Sequence, residues 1–245
     1  MSSNTASTAE QETGKQPPES RLITPGPWVR WAGLVAVLSG ALGLVYAPFH
    51  AAAYVATPHG TTPLIPWVDG FRNLVGGALT FGDTHTVYIA YGRVLPFVLA
   101  GFVAGLLGLH ACQAHVMSRW GKWAFRGLLA ALVLVTLSSI VEYYTPYLEG
   151  GFLLGIPGLV LSFVAYPAYG IVTLRAGIAP RAAGWLLTIG APGIIPLVVL
   201  LGHIPIGHAL LMVAWIIVGV FLWRNGPLAV DDLRGETTPG TAEDA

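Results

Sequence analysis

From Ala182 to Trp223 the chain runs for 42 residues without a lysine, arginine, aspartate or glutamate. A helix crosses about 30 Å of hydrocarbon with roughly 20 apolar residues, so a run of this length makes two crossings. Gly202-His203-Ile204-Pro205 is the place to fold it, because glycine and proline punctuate helices and histidine is polar.

Four more stretches read the same way. Trp31–Ala56, Val94–Ser118 and Gly150–Leu174 carry no charge, and Gly127–Ile140 continues through Glu142 to Tyr144. Only 10% of the chain is charged and 54% is hydrophobic, against about 25% charged in a soluble domain. That leaves too little polar surface to cover a globule in water, and the lipid bilayer is the natural solvent. The predicted fold is all-α: a polytopic membrane helix bundle of about six transmembrane helices over residues 28–223. Residues 1–27 and 224–245 read as disordered tails, since neither has the apolar periodicity to offset chain entropy.

Basic residues orient the bundle. With the amino terminus in the cytoplasm, ten of the twelve lysines and arginines fall on the inner side, and only Arg72 and Arg93 fall outside. The positive-inside rule therefore places both termini in the cytoplasm of a cell (plasma) membrane protein. Trp28, Trp31, Trp120, Trp123, Trp185 and Trp223 all collect at the inner interface, as an aromatic belt does.

Net charge is zero, so nothing attracts nucleic acid. Cys112 is the only cysteine, which excludes an internal disulfide. The chain has no phosphate-binding glycine-rich loop, no nucleophile elbow and no zincin helix.

The outer side collects the polar chemistry. His50 ends the first helix, and His203 and His208 bracket the turn between the fifth and sixth. Glu142 is the only acidic residue inside a predicted crossing, near several tyrosines that include Tyr46, Tyr54, Tyr88 and Tyr143. An ionisable group in a membrane helix is costly and marks a candidate site. His50, Glu142, His203 and His208 are the candidate ligands for a transition metal. Histidines from different helices could also ligate haem iron, drawn from His50, His203, His208 and His110. A plainer reading stands beside this one: tyrosine and histidine suit any membrane interface, and Glu142 can extend its carboxylate to water. His110 shares no helix face with His115, and packing explains it equally well.

Two backbone patterns stand out. Gly101 and Gly105 are four apart on the second helix, which lets another helix approach closely. The fifth carries Gly190-Ala191-Pro192-Gly193 and then Pro196, which predicts a kink or break in mid-membrane.

The leading functional expectation is a non-catalytic or accessory subunit packed beside other membrane subunits. The alternatives are a haem- or metal-binding redox protein and a small-solute transporter whose broken fifth helix lines the path. Residues 58–92 form a long extracytoplasmic segment between the first two helices. They are expected to hold a short helix or re-entrant element over Phe71–Phe81, lying as a lid over the histidines.

Overall fold

The computed structural model describes residues 26–225, so the two tails lie almost wholly outside the described residues. Nine α-helices and no strand are found there: α1 Trp28–Val55, α2 Val68–Val75, α3 Thr84–Gly92, α4 Leu95–Gln113, α5 Arg119–Tyr144, α6 Leu148–Ala176, α7 Arg181–Leu201, α8 Ile204–Gly207 and α9 Ala209–Asn225. A 3-10 turn, Gly76–Leu79, follows α2.

Five spans are long and apolar enough to cross a membrane: α1, the α3–α4 pair, α5, α6 and α7. The sixth, α9, has 17 residues and lies at the lower limit of length. The fold-back falls where the sequence puts it. Gly202 takes the left-handed conformation (φ +92°) and donates its amide to the Val198 carbonyl, 2.7 Å away, which closes α7.

The six long helices close a ring. α1 lies between α9 and α4, then come α5, α6 and α7, and α7 returns to α9. Their sequences are apolar all round, and lipid offers no hydrophobic drive to pair them, so close approach of backbones does the work. Gly101 faces Ser39 of α1, and Gly105 faces Ala36 of α1 and Trp215 of α9. The small-residue face of α4 is thus used within the chain.

Below mid-height the ring is filled. Phe102 stacks on Trp215 with centroids 5.8 Å apart, a pair worth about 0.5–1.5 kcal/mol beyond its buried area. Trp215 Nε1 donates to Tyr166 Oη (3.2 Å), and Gln113 Nε2 to Tyr169 Oη (2.6 Å). We call upper the end that carries the α5–α6 and α7–α8 turns.

Three expectations need correction. The second crossing begins well before Val94, because Thr84–Gly92 is already helical and the span runs from Thr84 to Gln113. Pro96 has no amide to offer the carbonyl of Gly92, so the helix is interrupted at Arg93 and Val94 rather than started there. In the upper segment the helix is Val68–Val75 with the 3-10 turn behind it, not Phe71–Phe81. Finally, α7 is not broken: it runs as one helix through Pro192 and Pro196, where a proline kink stays compatible with continuity. Membrane helices keep such prolines when their surroundings re-satisfy the freed backbone groups.

Candidate functional site

The upper segment is pinned across the top of the ring. A helix leaves its last four carbonyls without partners; at the end of α7 the Gly202 amide meets Val198, and residues 61–67 meet the other three and the carbonyl of Gly202 itself. Leu64 N donates to Val199 O (3.3 Å), Ile65 N to Leu200 O (3.0 Å), Trp67 Nε1 to Leu201 O (3.1 Å) and Thr61 Oγ1 to Gly202 O. Arg72 donates to the Ala52 carbonyl of α1 (3.2 Å), and Phe71 packs edge-on against Phe49 (5.1 Å).

Beneath this cover lies a cluster of rings. His50 is wholly buried on α1. It stacks on Tyr88 of α3 (4.7 Å), meets Tyr143 of α5 edge-on (5.5 Å), and touches His203 (4.9 Å between centroids, planes at 71°). His203 in turn stacks on Tyr54 at 4.1 Å. Neither nitrogen of His50 has a hydrogen-bond partner among the described residues, nor has His203 Nε2 or Tyr46 Oη.

Glu142 joins the cluster through α3. Tyr88 Oη donates to Glu142 Oε1 (3.3 Å) and lies 3.1 Å from Tyr143 Oη. His208 bonds through Nδ1 to the Ile204 carbonyl (2.9 Å), which makes that nitrogen the protonated one and leaves Nε2 as an acceptor.

A cavity of about 460 Å³ opens inside the upper half of the ring, within the range of small-molecule pockets, roughly 300–1,000 Å³. Leu95, Val98 and Leu99 of α4 and Val135 of α5 wall it, and Phe102 and Met212 close it below. Its polar groups gather at the top: Tyr54, Thr61, Tyr88, Ser138, Ser139, Glu142, Tyr143, His203 and His208. Glu142 and Tyr143 also line a separate depression of about 280 Å³ with His85, Arg93 and Thr145. The two side chains therefore partition the cavity from the upper surface.

Three of the four proposed metal ligands, His50, His203 and Glu142, belong to one network, and His208 lines the same cavity. They are not placed as a ligand set: among the described residues no group of three or more His, Cys, Asp and Glu could hold a metal ion. The rings of His50 and His203 touch directly, which leaves no space for a porphyrin between them. His110 sits apart in the lower half of α4, stacked on Phe125 at 3.6 Å, and joins no site with the other three. His59 is exposed in the upper segment.

Tyr88 is the residue that the candidate set left out. It lies in the long segment 58–92, beyond the short element expected at Phe71–Phe81, and its one local sign is Asp83, whose carboxylate caps α3 by accepting from the Thr86 amide at 2.7 Å.

Fold and site define a class: an all-α bundle of membrane-length helices around a mostly apolar cavity with a polar end. Comparison with protein-family models, curated proteins and solved structures found no match to this chain, so its site is read from its own geometry.

Proposed function

We propose that this chain is a multi-pass protein of the cell membrane, both termini cytoplasmic, that binds a small, largely apolar molecule in the upper cavity. The upper end then faces outward. The split of lysine and arginine supports this orientation, as do the exposed tryptophans of the lower end, Trp31, Trp120 and Trp185 among them.

One observation carries the binding reading: an apolar chamber whose polar groups converge at a single end. Such a chamber orients an amphipathic guest. The role is non-catalytic, of the kind an accessory subunit beside other membrane subunits fills. Metal or haem redox chemistry has less support, given the ring-to-ring contact of His50 and His203. A carrier built on a broken helix has less too, given the continuity of α7.

Native mass spectrometry of the protein released from native-lipid discs tests the reading. The expected result is a one-to-one adduct that Leu159→Trp, which fills the chamber, removes. A wild-type protein with no adduct beyond exchangeable bilayer phospholipid overturns it.

A further inference from the structure

The cavity is not sealed on its flank. Phe152 and Ile156 of α6 line it and are 56% and 43% exposed. The reason lies in how α6 and α7 diverge. Their close approaches are in the lower half, where Gly170 meets Thr188 and Gly184 meets Leu174. Above that level α6 leans on α5, with Gly155 against Ser138 and Gly158 against Leu134. There α7 leans on α9, with Gly190 against Leu211 and Gly193 against Leu210. The gap between the two helices faces the height at which hydrocarbon would lie.

The polar end has a defined hydrogen-bonding sense. Ser138 Oγ donates to the Gly151 carbonyl (2.7 Å) and Ser139 Oγ to that of Thr136 (2.8 Å). Tyr88 donates to Glu142, Thr61 to Gly202, and His208 through Nδ1 to Ile204. With those hydrogens committed, the cavity presents mostly acceptors, namely serine lone pairs, the Glu142 carboxylate and His208 Nε2, beside two donors, the Tyr54 hydroxyl and one N–H of His203. No lysine or arginine is among the described residues that line it. A carboxylate or phosphate head would find no lysine or arginine there, and an uncompensated charge is costly at membrane depth.

We infer that the ligand is a neutral lipophilic alcohol, admitted sideways from the bilayer between α6 and α7 past Phe152 and Ile156. Its hydroxyl donates to the acceptor-rich end and its apolar body fills the chamber down to Phe102 and Met212. This rests on the ligand-binding reading above and adds the route and the chemical class.

The probe is a photoreactive long-chain alcohol dissolved in vesicles holding the full-length protein, with its methyl ether as the matched compound lacking a donor. Crosslinks are mapped by peptide mass spectrometry. The alcohol should label Leu99, Phe102 and Leu159, and the ether should label them roughly tenfold less or weaker still, the effect of one hydrogen bond to a charged acceptor. Both should label lipid-facing Val160 and Val164 equally. Ile156→Trp should close the gap and abolish cavity labelling alone, and Leu159→Trp should do the same by filling the chamber. Equal cavity labelling by alcohol and ether overturns the ligand class. Cavity labelling that survives Ile156→Trp but not Leu159→Trp overturns the sideways route while leaving the ligand-binding reading intact. Labelling confined to Val160 and Val164 beside a native adduct overturns class and route together. The same labelling with no native adduct overturns the ligand-binding reading itself.

Discussion

The phenol of Tyr88 on α3 donates to the carboxylate of Glu142 on α5, 54 positions further along the chain, at 3.3 Å. That bond ties the upper segment to the ring and gives the Glu142 carboxylate a partner. Tyr88→Phe should destabilise the protein by about 1–3 kcal/mol, the range for losing a hydrogen bond to a charged or buried group. Thermal unfolding in detergent checks it, and a double-mutant cycle with Glu142→Gln should show the two changes to be non-additive. Additive effects would mean the bond carries no energy.

Gly92 holds Tyr143 in place by having no side chain: a β-carbon there would overlap the tyrosine ring. Gly92→Ala should cost about 1–3 kcal/mol through overpacking. Gly70→Ala, on an open face of α2 with nothing nearby, should be neutral or slightly stabilising. The two unfolding curves, run side by side, separate a packing effect from a backbone one.

Four carbonyls at the end of α7 hold the upper segment down. Replacing Trp67 by Phe and Thr61 by Val removes two of the four bonds. Trypsin added from outside should then cut at Arg72 severalfold faster than in the parent. An unchanged rate would show that the segment is held by other contacts.

The Asp83 carboxyl is held below the usual carboxylate range, chiefly by the hydrogen bond from the Thr86 amide. A lowered value means the ionised form favours the folded cap. The stabilisation is therefore complete above the ordinary carboxylate pKa and disappears as pH falls through the lowered one. Hydrogen exchange at the start of α3, corrected for intrinsic rate, should speed up on acidification in the parent. It should do so much less in Asp83→Asn, which caps without titrating. Parallel behaviour of the two proteins would sink the idea.

Glu142 and Tyr143 stand between the cavity and the upper depression. Removing the carboxylate with Glu142→Ala should join the two spaces and admit water. A cysteine placed at Ser138 on the cavity wall, in a Cys112→Ala background, should then react severalfold faster with a charged thiol reagent. No change in rate would show that the partition lies elsewhere.

The polar residues of the site were legible as interruptions: His50, Glu142 and His203 are conspicuous because their neighbours are apolar. Tyr88 was not, since one tyrosine among several at the same membrane face has nothing to distinguish it from interfacial decoration. His110 was grouped with the others as a possible ligand to a buried cofactor, although its place in the second helix already set it in the inner half. It faces Phe125 in the lower half, where no other candidate lies.

The sequence by itself determined the helical class and the turn at Gly202, because hydropathy and glycine or proline punctuation act over one or two helical turns. Only the tertiary structure decided which of those helices are neighbours. Helices that are apolar all round have no polar face to point outward, so their pattern does not say that α1 sits between α4 and α9. The contact of His50 with His203, the bond from Tyr88 to Glu142 and the chamber itself all follow from that arrangement. They exist because the ring closes, and ring closure is set by close packing between residues far apart in the chain.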